Sequence, residues 1–357
     1  MFRFKNLPAH LLTAISPGHQ FRPKAVYKGD AEQVLVLTRP TSSSVEIYIQ
    51  PRLRNSKFPV TYVDYPHASP GPEYFTKKTF VVISRYINSS WCEALKKNSN
   101  NIAGVAYLMD DNIPEAGFDH TLPPDYALGL AHFFQKYWKH LQDICSELWV
   151  SSPYLFERYQ SPVTFRVDPL FISKNRNNKA GNGNVTIFYH AQRPHYQDNL
   201  WLRDIIHHIQ RRFDHTFFET FGGEKVRKAY ADIPRSQILS RFNWESYLDY
   251  CSSLNYDIGL APINSGIFNR ARSINKLFDI SRCGAAGIYT NSEPYSSVID
   301  SWKTGVLCSH MKDAWIEAIC ELIEHESLRK SIYTNCVQYC ENHNRQAVTP
   351  DSLKALM

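Results

Sequence analysis

The chain has 357 residues, 43% hydrophobic and 21% charged, which excludes a disordered segment and is more than one ordinary core uses, so two domains are expected. A net charge of +6 favours an anionic ligand or an acidic membrane face and falls short of the basic stripe that nucleic acid requires. Eight cysteines are scattered without a C-x-x-C, and Cys336 and Cys340 have no matching second pair, so reduced buried thiols are expected rather than a zinc site.

At the start, the apolar run 11–15 is too short for a signal-peptide core, and no later run reaches transmembrane length. A cytoplasmic protein is expected. Mild basicity with Phe2, Phe4, Leu11 and Leu12 near the start allows peripheral contact with the inner face of the plasma membrane.

Short apolar runs bounded by Gly, Pro, Asn or Asp predict buried parallel strands at 34–38, 45–49, 60–62, 79–83 and 102–109. A helix is predicted over 127–145, where Leu130, Phe133, Phe134, Tyr137 and Leu141 recur with helical spacing. Two more strands follow at 148–151 and 164–167. The stretch "SKNRNNKAGNGN" (173–184) has one apolar residue, Ala180, and reads as an inter-domain linker.

Beyond it, predicted strands at 185–189, 216–221, 256–261 and 286–290 alternate with helices at 200–213, 244–252, 273–282 and 314–325. Such alternation implies βαβ units and a parallel sheet. The expected class is therefore α/β, two Rossmann-like domains facing each other across a cleft. The N-terminal domain is 1–172, the C-terminal domain 185–340, and the tail 341–357 is expected to pack back on the first. Ligands of such sheets bind beyond the carboxyl ends of the strands.

The stretch "INSGIFNRARSINKLFDISRCG" follows one such end. Ser273 is a natural N-cap, which leaves first-turn N–H groups free. Those donors, the helix dipole and Lys276 suit an anion such as a diphosphate. Ile274, Leu277 and Phe278 lie opposite and anchor the helix to the sheet. The plainer reading is a solvated basic face, since Lys and Arg decorate many helices.

In order, Asp257–Pro262, Phe268-Asn269, Ser273, Lys276, Asp279, Gly284, Tyr295 and Gly305-Val306-Leu307 resemble the donor-binding half of GT-B-fold glycosyltransferases. The likeness is greatest to family 4 and its bacterial surface-polysaccharide relatives, closely over about 65 residues and weakly over most of the rest. The resemblance makes the first domain acceptor-binding and the second donor-binding. It implies transfer of a sugar from a nucleotide-sugar donor to a glycan or lipid-linked saccharide acceptor, retaining and metal-independent, with no cofactor.

Residue by residue, Lys276 with Arg270 or Arg272 would neutralise the donor diphosphate, and Ser273 would hold the same oxygens. Asp279 falls where the family binds the ribose hydroxyls. Gly222 and Gly223 would let backbone approach the nucleoside. Asn269 would belong to a loop facing donor or acceptor. The family carries a pair of glutamates eight positions apart, whereas this chain has Ala271 and Asp279, so the sugar-contacting acid is missing. An epimerase of the same fold and a catalytically silent nucleotide-sugar-binding protein are the competing readings.

Two further clusters lie at predicted strand ends. In "YLMDDNIPEAGFDH" (107–120), Asp110 or Asp111 is a candidate catalytic base, with strand-end capping or a metal site as the other readings. In "YHAQRPHYQD" (189–198), His190 and Arg193 are candidates for holding phosphate or sugar hydroxyls, and His195 for a catalytic role.

Overall fold

The computed structural model describes residues 21–40, 42–174, 183–191, 196–240, 242–264 and 266–357. The chain forms two compact units, one drawn from Met1–Pro169, Gly266–Ser273 and Ala347–Met357, the other from Leu170–Ser265 and Ile274–Gln346. The expected linker lies mostly outside the described residues.

The first unit runs β1 (Gln33–Thr38), a π-helical segment (Val45–Ile49), α1 (Gln50–Leu53), β2 (Val60–Asp64), β3 (Thr79–Ser84), α2 (Ser89–Lys97), β4 (Ile102–Met109), α3 (Pro124–Ile144), β5 (Glu147–Val150), α4 (Pro153–Arg158) and β6 (Thr164–Arg166). Its strands pair in the order β2-β1-β3-β4-β5-β6. The segment 45–49, expected as a strand, is helical. Its alternation of Val45, Ile47 and Ile49 suits a strand, but β1 and β2 pair in parallel, Val34 opposite Val60. Parallel neighbours need a crossover connection, and Val45, Ile47, Tyr48 and Ile49 bury themselves as part of it.

Residues 266–273 join this unit because Phe268 and Ala271, both fully buried, enter its core with Phe133, Leu130 and Tyr159. The backbone N–H of Phe268 donates to Asp119 Oδ2 (2.7 Å), and Ser152 Oγ donates to the Ala271 carbonyl (2.7 Å). The last residues join it through Arg52. Its guanidinium donates to Thr349 Oγ1 (2.9 Å) and to the carbonyls of Tyr48 (2.8 Å) and Asp168 (2.9 Å). Burial pulls its pKa down to about 10, against the opposing pull of Asp168. Arg52→Met strands those acceptors in the interior and is expected to cost about 2–4 kcal/mol. Urea unfolding of the variant checks this; a midpoint equal to the parent's counts against a tethering role.

The second unit runs β7 (Val185–Tyr189), α5 (Tyr196–Arg212), β8 (Thr216–Phe221), α6 (Glu224–Ala229), β9 (Ser236–Leu239), α7 (Trp244–Ser253), β10 (Ile258–Ala261), α8 (Asn275–Arg282), β11 (Ala286–Thr290), β12 (Val306–Cys308), α9 (Lys312–Glu324) and α10 (Glu326–Gln346). The order is β12-β11-β10-β7-β8-β9, all parallel. Side chains alternate across it as the pleat requires. Val185, Ile187 and Tyr189 face Leu202, Ile206, Trp315 and Ile319, while Phe188 faces Leu277, Phe278, Cys336 and Cys340. The series β7-β8-β9 runs one way across the sheet and β10-β11-β12 the other, so the direction reverses between β7 and β10. This is the Rossmann order, and ligands of such sheets sit at that reversal.

Two glycines shape this region. A Cβ on Gly259 of β10 would lie 2.6 Å from Ile280 Cγ1, so its absence lets α8 approach the sheet closely. Gly284, at φ +83°, takes the left-handed turn that ends a helix. No helix among the described residues is long and apolar enough to cross a membrane.

Candidate functional site

The reversal point of the second sheet brings together the end of β7, the end of β8 and the first turn of α8. Lys276, in that turn, extends its ammonium to the carbonyl of His190, immediately past β7, and to Asp279 Oδ2 at 3.2 Å. Asp279 Oδ1 in turn accepts from Arg282 (2.5 Å), whose guanidinium lies 4.8 Å above the Trp244 ring and donates to the Ile172 carbonyl at 3.0 Å. Both oxygens of Asp279 are thus held. An ammonium has three donors, and two of those on Lys276 are engaged by these contacts.

Ser273 does not cap this helix. The cap position is Ile274, without a side-chain hydrogen bond, while Ser273 Oγ lies 2.6 Å from the Tyr48 hydroxyl. Tyr48 competes for the serine oxygen, and the sequence carries no sign of that pairing. Ile274, Leu277 and Phe278 are buried as expected.

The cationic set divides. Lys276 and Asp279 belong to the second unit, whereas Asn269, Arg270, Arg272 and Ser273 belong to the first. Arg270 lies 5.4 Å over the Tyr154 ring and Arg272 5.4 Å over Phe268, and Asn269 is buried. Gly222 and Gly223 follow β8. A Cβ on Gly222 would come within 2.4 Å of Val226 Cβ, and Gly223 is exposed where α6 begins.

The ring of His190 turns inward. Its side chain is 2% exposed, with Nε2 2.9 Å from Glu219 Oε1 and Nδ1 3.3 Å from the Tyr247 hydroxyl. Burial acts to lower its pKa, but contacts with Cys251 and Glu219 outweigh that and raise it. Glu219 also accepts from Tyr250 (2.7 Å) and Tyr256. The backbone of His190, not its imidazole, is what meets Lys276. Arg193 and His195 lie outside the described residues.

In the first unit, Asp110 and Asp111 follow β4 and share one partner. Arg85 Nε lies 3.0 Å from Asp110 Oδ1, and its other arm donates to Asp111. Ser44 donates to Asp110 Oδ2 at 2.5 Å. Burial pushes Asp110 above the usual carboxylate range despite that neighbour. For Arg85 burial opposes the charge, and the two aspartates outweigh it, raising its pKa. Arg85 sits at φ +64°, a left-handed conformation uncommon outside glycine. Arg85 carries little signal in the sequence: a lone cation at the end of a strand beside the one ending in Asp-Asp.

No protein-family model and no curated protein matches the sequence. Solved structures do match. Sucrose-phosphate synthase of Thermosynechococcus elongatus superposes with a TM-score of 0.58 at 10% identity, over 87% of this chain and 94% of that one. HepE of Anabaena, solved with UDP and glucose, gives 0.54 at 10% identity over 89% and 98%. A variant of TarM from S. aureus, solved with UDP and alpha-GlcNAc-glycerol, gives 0.53 at 10% identity over 78% and 54%. The chain spans about half the length of TarM. The likeness is one of fold, and the fold is GT-B, two Rossmann-like domains.

Proposed function

We propose that this chain is a glycosyltransferase that moves a sugar from a nucleotide-sugar donor to a glycan or lipid-linked saccharide acceptor. The observation that carries the reading is Lys276, seated at the reversal of a Rossmann-ordered sheet with Asp279 one turn on. In glycosyl transfer the C–O bond to the diphosphate breaks and the leaving group gathers negative charge. A cation already in place, together with first-turn N–H groups of α8, stabilises that charge without reorganisation. The Asp279 carboxylate is the acceptor suited to ribose hydroxyls, and the ends of β8 at Gly222 and Gly223 offer backbone to the nucleoside.

A retaining, metal-independent course is the version favoured here. Asp110 and Asp111 are both ion-paired with Arg85, so neither stands as an unengaged base of the kind an inverting enzyme requires. In a retaining transfer the departing phosphate takes the acceptor proton. Two neighbours of the same fold, HepE and TarM, were solved with UDP, which makes UDP-sugars the first donors to try. Synthesis of a surface polysaccharide at the inner membrane face is the setting proposed.

A panel of UDP-, GDP-, dTDP- and CMP-sugars, incubated with the full chain without acceptor, tests the reading. Slow release of free nucleotide from one donor is the expected result, independent of added Mg²⁺ or Mn²⁺. Interconversion of sugars without release would make the protein an epimerase, and tight binding without any turnover a silent binding protein; either outcome removes the transferase.

A further inference from the structure

His190, Cys251 and Cys283 converge inside the second unit, from the end of β7, the last turn of α7 and the end of α8. One potential ligand atom from each lies within 4.8 Å of the other two, and all three residues are buried. Aromatic rings close the surroundings: Phe188 and Phe221 lie 4.4 and 4.7 Å from the imidazole by ring centroids. The Tyr247 hydroxyl is 3.3 Å from His190 Nδ1 and 4.0 Å from Cys283 Sγ.

We propose that these three residues form a structural zinc site, with the Tyr247 hydroxyl or a water at the fourth position. Two sulfurs and an imidazole suit zinc and exclude the oxygen-seeking magnesium and calcium. Bond lengths of about 2.3 Å to sulfur and about 2.0 Å to nitrogen place tetrahedral ligand atoms roughly 3.3–3.8 Å apart. The present spacing reaches that by small side-chain rotations. Glu219 supplies the outer support that metal-bound histidines have. It accepts the hydrogen bond of Nε2–H, which leaves the Nδ1 lone pair for the metal, and it is itself anchored by Tyr250 and Tyr256. Binding releases the two thiol protons, so Zn²⁺ and two thiolates sum to zero charge in the buried site.

A zinc ion at this place is independent of any transferase activity. Zinc here would tie the end of β7, α7 and α8 together, and with them the His190 carbonyl on which Lys276 rests.

The test uses the full chain expressed in zinc-supplemented medium. Elemental analysis after gel filtration is expected to find about one zinc per chain. Cys251→Ser and Cys283→Ser are expected to lose it, while Cys336→Ser, at a separate buried thiol, keeps it. If the first two variants fail to fold, the parent decides by itself. Metal-free parent loaded with Co²⁺ is expected to show a thiolate-to-cobalt charge-transfer absorption that zinc abolishes. A parent with neither zinc nor that absorption overturns the proposal. So does zinc retained equally by all three variants, or a parent isolated with Cys251 and Cys283 joined as a disulfide.

Discussion

Lys276→Ala is expected to lower donor turnover by roughly 10²–10³-fold, the scale of losing one preorganised electrostatic partner of a developing anion, about 3–4 kcal/mol. The loss should fall mainly on kcat, because the leaving group carries more charge in the transition state than in the bound donor. Fold stability should change little. The side chain is 26% exposed, Asp279 keeps Arg282 as a partner, and the i,i+3 pair that is lost contributes only modestly on a helix. Lys276→Arg is the informative companion. It keeps the charge but brings a planar fork in place of a point donor, so partial recovery is expected. Rates for Lys276→Ala within a few-fold of the parent would remove Lys276 from the diphosphate, and with it the proposed donor site.

Arg85→Met is expected to destabilise the first unit strongly. It leaves Asp110 and Asp111, adjacent and nearly buried, without their shared cation. Breaking a buried pair in this way costs about 3–5 kcal/mol, a fall of roughly 10 °C in Tm for a unit of this size. Methionine keeps a comparable stem and the same side-chain penalty at φ +64°, so the change isolates the charge. Adding Asp110→Asn and Asp111→Asn should restore most of the loss, since the pair is then neutral. A triple variant as unstable as Arg85→Met would assign the effect to packing of the arginine stem instead. Should the single variant melt with the parent, the carboxylates are already hydrated and the ion-paired description is wrong.

Most of the second unit was legible in sequence because its strands are short, apolar and separated by helices with a clear buried stripe. Strands 185–189, 216–221 and 286–290 coincide with β7, β8 and β11. The strand β9 at Ser236–Leu239 has little sequence signal, since this sheet-edge strand is largely half-exposed and lacks the continuous apolar run of a central one. The segment 45–49 misled for the opposite reason: its local alternation is that of a strand, and only the parallel pairing of its neighbours makes it helical.

At the candidate site, the Lys276–Asp279 spacing was readable because it lies within one helix. The partners were not. His190, 86 residues away in sequence, supplies the carbonyl that receives Lys276. Ser273 finds Tyr48 over a separation of 225 residues. Local patterns report backbone periodicity and helix ends; they carry no information on which distant oxygen competes for a donor.

Hydrophobic period and local composition were enough for the class of fold and for a cationic helix start after a strand end, because both are local properties of the chain. Tertiary structure alone decided that residues 266–273 pack with the first unit while Lys276 stays with the second. It alone gathered His190 with two cysteines that share no motif, and gave Asp110 and Asp111 a common arginine. The physical reason is that desolvation and pairing act through space. A buried charge or thiol is defined by what surrounds it, and those neighbours come from strands and helices far apart along the chain.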